Sequence, residues 1–199
     1  MAYTMTPWGY DVDGTLPPLI DVETFNELTG GRYADDERLD SAIDAASAAI
    51  RAYCGWHVAP VLGCECVKDG ERGDVWLPCL GLRSVESVEF GGAEQEVRGF
   101  NRFGRVRTSA PQPLGGLADV RVSYVAGFDL AATPDLAQVV AQRVVAAVAL
   151  GSYGVASESA GGVSIAYSGA ALADAGASFI PDAAKAALTP YRLVSAHVA

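Results

Sequence analysis

The feature that most narrows the folds open to this sequence is a hydrophobic period that changes twice along the chain. Apolar side chains first recur at Leu39, Ile43, Ala46, Ile50 and Tyr53, in steps of four, three, four and three that put them on one face of a helix. From Trp56 to Phe128 the pattern shortens to runs rich in Val and aromatics, broken by turn residues. After Thr133-Pro134-Asp135 the helical period returns through Leu136, Val139, Val140, Val144, Ala147 and Val148. No helices alternate with the strands, so the middle reads as an antiparallel meander or small barrel and not as a doubly wound parallel sheet.

Local signals set the boundaries. The opening through Pro18 is rich in Pro and Gly and reads as irregular. Asp21 is placed to cap a short helix that runs to Leu28 and stops at Gly30-Gly31. Asp35 and Asp36 put negative charge at the start of the next helix, and Gly55 ends it after a rod of roughly 28 Å. Strands are predicted over 64–68, 75–78, 85–90, 105–108 and 120–125, with breaks at Asp69-Gly70, Gly91-Gly92 and Gly115-Gly116. The helix begun by Thr133 and Pro134 is apolar around much of its girth, which predicts burial in a bundle or at a subunit contact. Residues 158–168 alternate Val163, Ile165 and Tyr167 after Gly161-Gly162, the pattern of a Gly-hinged extended arm. A last helix starts near Pro181-Asp182, and Pro190 ends or kinks it before Tyr191-Arg192.

Half of the residues are hydrophobic and 19% are charged, a balance that folds. No run of about 18 apolar residues is present, and residues 1–7 lack a basic region and an apolar core, so neither a membrane span nor a secretory signal is expected. A net charge of -10 argues against tight nucleic-acid binding, which draws on cations that displace counterions from phosphates. The same charge suits a wall past which DNA slides. The one loose basic group is Arg98, Arg102, Arg105 and Arg107, either a phosphate contact or a solvated hairpin face. The four cysteines, Cys54, Cys64, Cys66 and Cys79, lack zinc spacing, because Cys64 and Cys66 have one residue between them where structural sites have two to four. They read as buried reduced thiols, with no metal.

One motif carries chemistry on paper. Asp11-Val12-Asp13-Gly14-Thr15-Leu16 matches the nucleophile motif of haloacid-dehalogenase-type phosphohydrolases, in which the first Asp attacks phosphorus and the second moves protons beside a magnesium ion. That chemistry needs the pair at the carboxyl end of a buried parallel strand. Thr6-Pro7-Trp8-Gly9-Tyr10 supplies no aliphatic run for one. No phosphate-binding Gly-rich loop with Lys is present, and His57 and His197 give few options for a triad. Trp8, Trp56 and Trp76 read as core or interface anchors. No catalytic, cofactor-binding or metal-binding residue is therefore assigned.

With these elements placed, the order of signals resembles the head-to-tail connector, or adaptor, family of tailed phages and gene transfer agents. The pieces are Phe25-Asn26-Glu27-Leu28-Thr29-Gly30, Ala49-Ile50-Arg51-Ala52-Tyr53-Cys54-Gly55, Trp76-Leu77-Pro78 and Val85-Glu86-Ser87-Val88. Val122-Ser123-Tyr124-Val125-Ala126-Gly127-Phe128 follows, then Ser157-Glu158-Ser159 with Gly161-Gly162, and Leu188-Thr189-Pro190-Tyr191-Arg192. The resemblance implies an α+β fold, a helical bundle of three to four helices with an inserted antiparallel β-rich subdomain. On that scheme residues 1–20 are an irregular segment, 21–55 and 129–199 the helical core with its C-terminal arm, and 56–128 the β-rich insertion. It further implies a non-enzymatic ring, a dodecamer in the virion neck and a monomer when free, made in the host cytoplasm. Its partners would be its own copies, the portal protein and a downstream neck or stopper protein, with DNA passing through without specific binding and no membrane involved. Contact would fall to Glu158, Ser159, Gly161, Gly162, Val163, Ile165 and Tyr167 of the arm and to Tyr191 and Arg192. The alternatives are the phosphohydrolase of Asp11 and Asp13, and a neighbouring neck or tail-completion protein.

Overall fold

The computed structural model describes residues 3–114, 117–149, 157–160, 163–166 and 180–193. The fold is α+β, with every strand pair antiparallel. The chain divides into two compact units, one formed by Met1–Pro17, Cys54–Ala132 and Tyr191–Ala199, the other by Pro18–Tyr53 and Thr133–Pro190.

In the second unit, helix α1 spans Val22–Thr29. Asp21 caps it, its carboxylate accepting the Thr24 N–H at 2.7 Å, and Gly30 closes it in the left-handed conformation with φ 66°. Helix α2 runs over Leu39–Cys54 and buries Leu39, Ile43, Ala46 and Ile50, the face its period marks. It starts three residues beyond the Asp35-Asp36 pair. The Asp36 carboxylate takes the Arg38 N–H at 2.9 Å and its guanidinium at 2.8 Å, so Asp36 organises the turn ahead of the helix. That hydrogen bonding to Arg38 holds the Asp36 carboxyl down to about 2. Helix α3, Pro134–Ala149, buries Leu136, Val140, Val144 and Val148 and packs on α1 and on α4, Asp182–Leu188. A 3-10 turn over Thr189–Tyr191 follows α4 at Pro190, where the ring removes a donor.

The first unit is built on a six-stranded sheet in the order β1-β2-β3-β9-β5-β6. These strands are β1 Tyr3–Met5, β2 Asp11–Asp13, β3 Leu62–Lys68, β5 Leu82–Phe90, β6 Ala93–Glu94 and β9 Val120–Ala126. A smaller sheet joins β4 Val75–Trp76, β8 Arg105–Thr108 and β7 Val97–Phe100. The order is not the meander expected from the spacing. The last strand, β9, lies between β3 and β5, because its alternation buries Val120, Val122, Tyr124 and Ala126 and makes it the most apolar strand of the set. The opening segment, read as irregular, supplies β1 and β2 instead, joined by a turn in which the Thr6 hydroxyl and N–H both reach the Tyr10 carbonyl.

Candidate functional site

The Asp11 motif lies on a strand after all, but not on the kind its chemistry requires. β2 is three residues long and antiparallel to both neighbours, with Asp11 opposite Glu65 and Met5 and Asp13 opposite Tyr3. Val12, between the two aspartates, is the residue turned to the core. Among the described residues every strand pair is antiparallel, so the aspartates do not stand at the carboxyl end of a parallel strand. Among the described residues no three His, Cys, Asp or Glu side chains are grouped to hold a metal ion.

His57 and the cysteines are likewise absorbed into packing. His57 is fully buried, and its Nε2–H donates to the Ala126 carbonyl at 3.1 Å. With the proton on that nitrogen, Nδ1 accepts the Tyr10 hydroxyl at 2.8 Å, while the Tyr10 oxygen accepts the His57 N–H at 3.0 Å. Cys54, Cys64, Cys66 and Cys79 are all buried and free of disulfides. Burial pushes Cys54 and Cys64 up to about 12 and Cys66 up to about 11, and raises Cys79 as well. Such thiols are inert as nucleophiles.

A pH dependence follows. The unfolded chain releases thiol protons near the ordinary value of 9.0, whereas the folded chain keeps them to about 11 or 12. Stability is therefore complete below about pH 9 and falls as pH rises, by about 1.4 kcal/mol per pH unit for each thiol. Urea midpoints measured at intervals from pH 8 to 10.5 are expected to drop steeply above 9. A flat profile would show that these thiols are not protected.

The residues assigned to partner contact fall in different settings. Ser157–Ala160 and Val163–Ala166 form strands β10 and β11, which pair with each other in the register Glu158 to Ile165 and Ser159 to Ser164. What reads as a single extended arm is thus a two-stranded antiparallel pair. Gly161, Gly162 and Tyr167 lie outside the described residues. Tyr191 is buried, its ring edge-on to Phe128 at 5.2 Å and its carbonyl accepting the Trp56 indole N–H at 2.7 Å. Leu193 N–H donates to the Cys54 carbonyl at 2.8 Å, which ties this end of the chain into the β-rich unit. Arg192 beside it is exposed.

A further group of charged and aromatic side chains comes together only once the small sheet is formed. β4 pairs with β8 so that Trp76 stands opposite Arg105, and the guanidinium lies 5.6 Å from the indole ring. Arg105 and Arg107 both reach Asp74, at 2.5 and 3.4 Å. Partial burial opposes ionisation of Asp74, but the two arginines outweigh it and hold the carboxyl below its usual range. Asp74, Arg98, Phe100, Asn101, Arg105 and Arg107 border an open pocket of about 250 Å³.

The molecule defined by these features is an α+β protein with a helical unit and an antiparallel β-rich unit, in which His57 and the four cysteines are buried in packing. Solved structures share this fold, among them two from GTA particle necks. One is a chain from the neck of an empty GTA particle, reconstructed with C6 symmetry; it is 20% identical, with 93% of this chain and 95% of that chain covered and a TM-score of 0.62. The other comes from the neck of a native GTA particle with C12 symmetry; it is 16% identical over 98% of this chain and 96% of that chain, with a TM-score of 0.54. No protein-family model matches the chain, and no curated protein matches it. The chain has the fold of GTA particle neck proteins.

Proposed function

We propose that the chain is a structural, non-enzymatic head-to-tail adaptor of a tailed phage or phage-like particle. It forms a twelvefold ring in the virion neck, between the portal and the stopper or next neck protein. The observation that carries this reading is the likeness along nearly the full length of both chains to proteins of a neck with six- and twelvefold symmetry. The helices act as a bundle that carries the β-rich unit, and the β10–β11 pair with Arg192 meets a neighbour or the portal. The chain assembles in the host cytoplasm, and no helix among the described residues is long and apolar enough to cross a membrane. Net charge of -10 lets DNA pass without adhering, since bound phosphates require clustered cations along the path.

Deletion of the gene tests the role. Particles are expected to fill with DNA and remain tailless, with tails free in the lysate, and supplying the chain in trans should restore joining. Normally tailed particles in the deletion strain would refute the assignment.

A further inference from the structure

Residues 97–108 hold four arginines and no acidic residue, while the other ten Lys and Arg of the chain stand against all twenty-four Asp and Glu. Folding brings Arg98, Arg105 and Arg107 of this segment to the border of one pocket. Arg105 and Arg107 are two apart on β8 and project to the same side, about 6.6 Å apart, with Val106 buried between them. Arg98 borders the same pocket and makes no ion pair among the described residues. Phe103 is 53% exposed and the Arg102 guanidinium lies 4.7 Å over its ring, whereas Phe100 stands opposite Val106 and so takes the other side of the sheet from Arg105 and Arg107. An exposed aromatic among arginines is the composition of a protein-binding patch. A duplex backbone would cover the cations and leave the Phe103 ring in water.

We propose that this face of the small sheet docks onto helix α2 of a second copy of the chain, with Arg98, Arg105 and Arg107 meeting Asp40 and Asp44. The complement is on the page. The helical unit carries twelve acidic residues against five basic ones. Asp40 and Asp44 are exposed on the side of α2 away from Ile43 and Ile50, and exposed Glu37 lies just ahead of the helix. One helical turn separates the two carboxylates by about 6 Å, close to the spacing of the arginines on β8. Two different surfaces in contact make a head-to-tail interface, the type that closes into rings. The inference rests on the ring reading above and names the surfaces that would join its copies. Asp74 remains with Arg105 and Arg107 and keeps their forks aligned, leaving further guanidinium donors for a second carboxylate.

Sedimentation of the purified chain at millimolar concentration and low salt tests this. On the adaptor reading the free chain is monomeric at ordinary dilution, but millimolar concentration and low salt populate the ring contact, so wild type is expected to self-associate there, and to do so less as ionic strength rises. Arg98→Glu/Arg107→Glu and Asp40→Lys/Asp44→Lys should each weaken association at least tenfold while keeping the wild-type circular dichroism. An equimolar mixture of the two should associate again. Glu23→Lys/Glu27→Lys on α1 should change it less than twofold. The proposal is overturned by a monomeric wild type, by reversal variants that associate normally, or by failure of the mixture. Loss of duplex-DNA binding in the arginine variant with self-association intact would also overturn it and make the patch a phosphate contact. The deletion phenotype is read in particles, so either result leaves the neck assignment to its own test.

Discussion

Replacement of Gly127 by Ala is expected to lower the thermal midpoint by about 10 °C, corresponding to at least about 3 kcal/mol in a chain of this size. Gly127 follows β9 with φ 127°, a conformation side-chain-bearing residues rarely adopt. An added Cβ would sit 2.3 Å from the Pro60 carbonyl oxygen and 2.9 Å from the Val61 Cα. Both are backbone atoms, so no rotamer change can relieve the clash. The backbone here is also bonded on both sides, since Gly127 N–H donates to Gly81 and Phe128 N–H to Val58 at 2.8 Å. Native stability is typically only 5–15 kcal/mol, so the loss should be plain in a melt followed by circular dichroism. A midpoint within about 2 °C of wild type would mean that this junction is not as tight as described.

Trp56→Ala should cost more still, about 3–5 kcal/mol. Trp56 is completely buried, edge-on to His57 at 5.1 Å and to Phe128 at 5.6 Å, and Phe128 in turn meets Tyr191. Removing the indole opens a cavity in this aromatic row and leaves the Tyr191 carbonyl without its donor. Trp56→Phe separates the two effects, because it keeps most of the ring and loses only the N–H; about 1–3 kcal/mol is expected. Urea titrations of both variants give the comparison. Near-equal midpoints for wild type and Trp56→Ala would contradict a structural role for the row.

What could be read in advance depended on how locally each element was specified. The alternation of Val120, Val122 and Tyr124 and the capping of α1 by Asp21 are written in adjacent residues, and both are where the spacing puts them. β5 starts earlier than the alternation indicates because register shifts between Leu82 and Ser84 and between Val85 and Ser87 break its period. β7 has three exposed residues in four and a shift of its own, so it left no apolar pattern to read. β1 and β2 are three residues each; β1 pairs with β2, and β2 in turn with β3, some fifty residues away, so the hairpin depends on a distant strand. The partnership of Tyr10 with His57 is equally non-local. At the candidate surface, the arginines between 98 and 107 stand out in the sequence, but their neighbours Trp76 and Asp74 arrive only through the β4–β8 pairing.

Locating the chain in intact particles is the most direct test of the central assignment. A gold-binding tag at an exposed position such as Met5, imaged on purified virions by cryo-electron microscopy, is predicted to mark a collar at the junction of head and tail. Label on the capsid shell, along the tail or absent from the particle would contradict the account.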